Sequence, residues 1–209
     1  SKEMLLALLE GLDAPLSQRN ETLVAAGYAP VFGNRPIDHI EMNTINEVID
    51  LLVMGPQAAP AMVLDSAWNL VKFNPGFVRL IELLEFDLTA LQATPNVLLA
   101  LAAPGGLGTR LLNPDEVLDD VLRRAQREAL HIPALQAVLD VLPPNLRNTR
   151  QQHGALSSPT LVTRFSSSVG ELRFISTFTT FGAPMDITAA SLRIEHMFPA
   201  DEQTRAAFS

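Results

Sequence analysis

RFISTFTTFGAPMDITAASLRIEHMFPAD, residues 173–201, decides the fold. In its first run Leu172, Phe174, Ser176 and Phe178 share one parity. In its second run Leu192, Ile194, His196 and Phe198 alternate in the same way. Period-two alternation of this kind predicts strands with one face on a core and the other turned away. A Gly182-Ala183-Pro184 corner joins the two. Together with an earlier strand over about 159–165, the spacing predicts strands over about 171–180 and 187–197, a three-stranded meander.

Working back toward the N-terminus, residues 60–73 predict a hairpin. Met62 and Leu64 alternate in one arm and Val71 and Phe73 in the other, with Asp65-Ser66-Ala67 as the turn. Between hairpin and meander the pattern is helical. Asn74-Pro75 offers an N-cap with proline at the first helical position, followed by Phe77, Leu80, Ile81 and Leu84. Pro95-Asn96 opens a short apolar helix, and Pro104–Gly108 breaks it in a glycine-rich loop that reads as a hinge or lid. Asn113-Pro114 opens a helix with Asp115, Glu116, Asp119 and Asp120 early and Arg123, Arg124 and Arg127 late, the order the helix dipole favours. Asp119–Arg123 and Asp120–Arg124 are spaced for ion pairs along a solvated face. A further helix covers 133–142, and 145–158 reads as a polar loop. Ahead of the hairpin, residues 2–10, 16–26 and 37–54 carry helical stripes, the last with Ile45, Val48, Ile49 and Leu52 on one side. A hairpin, helices and a meander in this order predict an α+β chain. Its core is a PAS-like five-stranded antiparallel sheet with helices on one face, preceded by a small helical remnant.

Composition bounds the function. The chain has 209 residues, 47% hydrophobic and 18% charged, enough for a sizeable core. Its formal charge of −8 works against nucleic-acid binding by this chain as a unit. It contains no cysteine, which excludes disulfides, thiolate catalysis and cysteine zinc sites, and suits a cytoplasmic protein. No signal peptide and no apolar run near the roughly 18 residues of a spanning helix is present. Ser166–Ser168, His153 and Asp140 hold the atoms of a nucleophilic triad, but no G-x-S-x-G elbow accompanies them. His39, His131, His153 and His196 lack metal-ligand spacing. Gly105, Gly106 and Gly108 lack the preceding strand and following Lys-Ser/Thr of a phosphate loop. The chain therefore reads as a non-enzyme.

Several segments, in matching order, resemble the MmyB-like transcription regulators. Ser17–Phe32 (SQRNETLVAAGYAPVF) resembles the end of their XRE-family helix-turn-helix domain. Ala61–Asn74 (AMVLDSAWNLVKFN) resembles the first hairpin of their ligand-binding domain, Pro95–Leu107 and Leu111–Val117 its central helices, and FTTFGAPMDIT with LRIEHMFPAD its closing strands. The resemblance divides the chain into residues 1–33, the last helices of the helix-turn-helix domain, and residues 34–209, a PAS-like ligand-binding domain. It implies transcription regulation by an effector-sensing domain that binds a fatty acid or similar lipophilic molecule. It implies DNA-binding through helix-turn-helix residues missing from this chain, a homodimer, no membrane partner, and no cofactor beyond a bound fatty acid. The alternative is a PAS-like dimerisation module without a ligand.

The wall candidates for such a ligand are Trp68, Phe73, Phe77, Ile81, Leu98, Phe174, Phe178 and Ile194. For any one of them ordinary core packing is the stronger reading, since sequence does not separate a lined cavity from a filled one. Trp68, if buried, needs a partner for its indole N–H. Asn74 is a head-group candidate or simply the N-cap. A carboxylate partner would come from Arg110, Arg173, Arg193 or His196. Parity turns Arg173 and Arg193 away from Phe174 and Ile194, toward solvent, and points His196 inward. Arg110 lies beside the glycine-rich loop, where a pocket mouth would open. The ligand-binding set expected from sequence is thus Trp68, Phe73, Asn74, Phe77, Ile81, Leu98, Arg110, Phe174, Phe178, Ile194 and His196.

Overall fold

A computed structural model describes residues 1–55, 58–93, 95–147 and 160–209. By backbone contacts the chain divides into two compact units, residues 1–48 with 180–192, and residues 49–179 with 193–209.

The first unit holds α1 (Lys2–Gly11) and α2 (Leu16–Ala25). Leu23 is its fully buried anchor on α2. Asn20 stitches α2 to the chain that follows: its Nδ2 donates to the Phe32 carbonyl at 2.9 Å, and its Oδ1 accepts from the Val31 and Phe32 amides. Gly33 bridges to Asp186, and Asp186 also pairs with Arg35 at 3.0 Å. Helix 37–54 of the sequence reading starts later. Residues 40–42 form a 3-10 turn that leads into α3 (Asn43–Val53). His39 caps that turn, and Asn46 takes the Ile37 carbonyl.

The second unit is built on a five-stranded antiparallel sheet: β1 (Ala61–Leu64), β2 (Leu70–Phe73), β3 (Thr163–Ser167), β4 (Gly170–Thr179) and β5 (Arg193–Pro199). The spatial order is β2-β1-β5-β4-β3, the PAS-like layout expected from sequence. Between β2 and β3 run α4 (Pro75–Leu83), α5 (Leu88–Ala93), α6 (Val97–Ala102), α7 (Pro114–Ala129), α8 (Pro133–Val141) and α9 (Pro144–Arg147). Two short helices complete the chain, α10 (Ile187–Ser191) in the first unit and α11 (Glu202–Ala206) after β5.

Local chemistry sets these boundaries. Asn74 caps α4, accepting from the Phe77 amide at 2.8 Å and the Ala61 amide at 2.9 Å, while its Nδ2 donates to Ala59. Asn96 caps α6 and also ties it to the β1–β2 turn through the Ala67 carbonyl. That turn is wider than Asp65-Ser66-Ala67. Asp65 accepts from the Ala67 and Asn69 amides, and Trp68 sits at φ 65°. A bulky residue in this region is unusual, and the Asp65–Asn69–Asn96 network holds it there. The glycine-rich loop has a packing reason. A Cβ on Gly106 would lie 2.3 Å from the Ala100 carbonyl, and one on Gly108 would lie 2.2 Å from the Leu101 carbonyl. The glycines let the 107–110 turn close onto the backbone of α6.

The expected strand over 187–197 is corrected. Asp186 caps α10 by accepting from the Thr188 amide, so residues 187–191 are helical and the strand starts at Arg193. Register then fixes the faces. Phe174 lies opposite Pro199, Ser176 opposite Met197 and Phe178 opposite Glu195, while Met62 also faces Glu195. Residues directly opposite in an antiparallel pair point to the same face. Arg193, Glu195 and Met197 therefore share the face of Phe174 and Phe178, and Ile194 and His196 lie on the reverse. Both faces of β5 are covered: Ile194 is 2% and His196 8% exposed, and the His196 ring meets the Leu52 carbonyl at 3.0 Å. The polar segment expected over 145–158, with His153, lies largely outside the described residues.

Candidate functional site

On the Phe174 face, the sheet and helices α4–α7 enclose an apolar cavity of about 320 Å³. Its floor comes from alternate strand residues: Met62 and Leu64 on β1, Thr163 and Phe165 on β3, Ser176 and Phe178 on β4, Met197 on β5. Its walls come from helical stripes, Phe77, Leu80, Ile81 and Leu84 on α4 and Val117 and Val121 on α7. Leu107, which opens the 3-10 turn, and Leu111, just after it, complete the lining on this side. A volume of this order suits a small molecule, and aliphatic and aromatic side chains make up most of the lining.

One end of the cavity is different. Arg124 and Arg193 enter it from α7 and β5 and interleave with two aromatic rings. The Arg193 guanidinium carbon lies 4.4 Å from the Trp68 ring centroid and 5.5 Å from that of Phe178. For Arg124 the distances are 5.1 Å to Trp68 and 4.4 Å to Phe178. Each ring face stabilises a cation by about 0.5–2 kcal/mol as water is withdrawn. Glu128, one turn beyond Arg124, holds the arrangement from behind. Its Oε1 accepts from Arg193 Nη1 at 2.8 Å and its Oε2 from the Trp68 indole N–H at 2.7 Å. Asp120 approaches Arg124 at 3.8 Å.

These ion pairs leave donors over. The Nε–H groups of Arg124 and Arg193 are buried with no hydrogen-bond partner among the described residues. A buried charged donor without an acceptor costs about 1–3 kcal/mol or more, so this end of the cavity is shaped to receive an acceptor. Burial lowers the Arg124 pKa, the nearby Arg193 adds to that, and Glu195, Asp120 and Glu128 oppose it. Guanidinium remains charged across the physiological range regardless. Glu195 lines the same end. Burial pushes its carboxyl above the usual carboxylate range, against the hydrogen bond from Ser176 and the charges of Arg124 and Arg193.

The residues expected from sequence separate accordingly. Trp68, Phe77, Ile81 and Phe178 come together in the cavity lining. Phe73 stands outside it, its ring 5.5 Å from that of Phe77. Asn74 is a buried cap with its polar atoms engaged by backbone. Leu98 belongs to a neighbouring apolar cluster with Trp68, Leu122 and Leu135. Phe174 is fully buried against Phe165 and Phe208. Arg110 is half-buried and reaches Glu85 at 3.5 Å. Ile194 and His196 point to the reverse face, which corrects their inward reading. Arg193 is corrected in the opposite sense, from solvent to cavity, its side chain 14% exposed. Arg173 stays outside, hydrogen-bonded to Glu171. Arg124 was legible only as part of a charged helix face. The expected Asp120–Arg124 pair is present at 3.8 Å, and Arg123 reaches the same carboxylate at 2.9 Å. The overlooked signal is the stripe Val117, Val121, Arg124, Glu128, which puts two charges in line with two apolar wall residues.

Among the described residues no group of three or more His, Cys, Asp or Glu could hold a metal ion. No helix among them is long and apolar enough to cross a membrane. Residues 45–209 match the family model described as MmyB-like transcription regulator ligand binding domain. No curated protein matches the chain. Among solved structures, the chain is similar to the Rhodobacter sphaeroides LOV protein at 9% identity and TM-score 0.37, over 79% of this chain and 71% of that one. It is also similar to the d2 variant of RsLOV, at 14% identity and TM-score 0.33, over 77% and 68%. At those scores the fold stands on the strand order itself.

Proposed function

We infer, from the premise that the chain belongs to the MmyB-like transcription regulator ligand-binding domain family, that its cavity is the effector site of a regulator. We propose that the effector is a single-tailed carboxylic amphiphile of the fatty-acid class. The observation that carries this reading is the pairing of an apolar cavity with two buried arginine Nε–H donors at one end that have no partner among the described residues. The tail lies among Met62, Leu64, Leu80, Ile81 and Val117, and the carboxylate accepts from Arg124 and Arg193 beside Trp68. Burying each methylene contributes about 0.8 kcal/mol, and the charge-assisted hydrogen bonds fix the direction of the chain.

Regulation follows if the effector favours one arrangement of the molecule over another. In this reading the protein is cytoplasmic, works as a homodimer, and meets DNA through the XRE-type helix-turn-helix to which Ser17–Phe32 bears its resemblance. The interaction-module alternative has one observation in its favour. Leu51, Leu52 and Met54 at the end of α3, with Val71 on β2, leave apolar surface exposed.

The test is mass spectrometry of the organic extract of purified protein, joined to thermal shifts with fatty acids from dodecanoic to octadecanoic. A co-purified acyl species, or a stabilisation approaching about 2.7 kcal/mol at a hundredfold excess over Kd, supports the sensor. Neither, across the whole panel, leaves the interaction module standing instead.

A further inference from the structure

The head-group end of the cavity has a charge balance that a carboxylate ligand alone would upset. Arg124 and Arg193 supply two positive charges. Asp120 and Glu128, both on α7, already answer them at 3.8 Å and 2.8 Å. Glu195 is a third acid, on β5 between Arg193 and Met197. Its side chain shares a face with its cross-strand neighbours Met62 and Phe178. Among the described residues Glu195 makes no ion pair. Ser176 on β4 lines the cavity with it. Against the two arginines stand the rings of Trp68 and Phe178, neither of which carries a titratable group. His196, the next residue along β5, lies on the reverse face against the Leu52 carbonyl. A ligand carboxylate entering here meets a second carboxylate withdrawn from water, beside arginines whose charge Asp120 and Glu128 already offset, and two carboxylates at close range favour keeping one of them protonated.

We propose that Glu195 is the specificity-determining residue of this site, binding the ligand carboxylate as a neutral acid that donates its O–H to it. The inference rests on the function proposed above. The proton comes from solvent: as one ligand anion enters, one proton is taken up and held on Glu195, hydrogen-bonded to the ligand oxygen. The arginine pair supplies the remaining donors. The site then accepts one negative charge, and a dianionic head group such as a phosphate monoester finds one donor arrangement too few.

Trp68 is the sole tryptophan of the chain and lines the site, so its emission reports binding directly. Dodecanoate is titrated into the intact protein from about pH 6 to about pH 9, a range in which the ligand itself stays ionised. The expected result is a Kd that weakens by up to about tenfold per pH unit as Glu195 ionises. Glu195→Gln, which keeps a donor and removes the charge, is expected to bind with less than about twofold variation. A second measurement needs no variant. Calorimetric enthalpies of binding at about pH 8 should differ between phosphate and Tris buffers by the heat of transferring close to one proton. A pH-independent Kd for the unmodified protein, the same pH slope in Glu195→Gln, or equal enthalpies in the two buffers overturns the inference while leaving the fatty-acid site intact. No response to dodecanoate at any pH overturns both.

Discussion

Arg193 shows how a single side chain carries the account. Its guanidinium is pinned by Glu128 and stacked on Trp68, yet among the described residues its Nε–H meets no acceptor. Replacing it with methionine keeps the stem and removes the donors. Arg193→Met, and likewise Arg124→Met, should weaken dodecanoate binding by about 10–100-fold, the equivalent of losing a charge-assisted hydrogen bond, as read by Trp68 emission. Asn74 should behave differently. Its three backbone hydrogen bonds join α4 to β1, so Asn74→Ala should lower stability by about 1–3 kcal/mol in a denaturant melt while the Kd for dodecanoate stays within about twofold. Residue identity alone told these roles apart poorly. Asn74 was open to both readings because an N-cap and a ligand anchor use the same side-chain atoms. Arg124 was hidden because a helix face bearing Asp119, Asp120, Arg123 and Arg124 looks solvated until the neighbouring sheet is in place.

At the scale of elements, the strands and most helices were readable from punctuation and period. Asn74-Pro75, Asn96 and Asn113-Pro114 each mark a helix start that the structure contains. The faces of β5 were not readable. Strand β5 is covered on both sides, so apolar Ile194 and Met197 fall on opposite faces and alternation loses its meaning. The one-residue difference in parity between β4 and β5 exchanged Arg193 with His196. The β3–β4 hairpin offers a separate test. Arg164 and Arg173 both donate to Glu171 on its outer face, at 2.7 Å and 2.6 Å, and hold its carboxyl down to about 2. A depressed carboxyl adds stability that is complete above its ordinary value of 4.5 and is lost as pH falls toward 2. Acid unfolding followed by circular dichroism should therefore show a steeper loss across that window for the unmodified chain than for Glu171→Gln. The glycines at 106 and 108 belong here too. Because each would bury a Cβ against α6 backbone, Gly108→Ala should destabilise by about 1–3 kcal/mol, where a free hinge would tolerate it.

For the whole molecule, strand order, family and cavity point the same way: a PAS-like sheet whose inner face is incompletely filled by its own side chains. Composition foretold an apolar interior, but volume left over inside it depends on how α4, α6 and α7 stand off the sheet, which no periodicity records. The central claim concerns what fills that volume and in which direction. It is tested most directly by quenching of Trp68 with dodecanoate brominated either next to the carboxyl or at the tail end, since bromine quenches tryptophan only at close range. The account predicts strong quenching by the α-bromo acid and weak quenching by the ω-bromo acid, because the carboxylate sits beside Trp68 between Arg124 and Arg193. Equal quenching, stronger quenching from the tail end, or none with either ligand would contradict it.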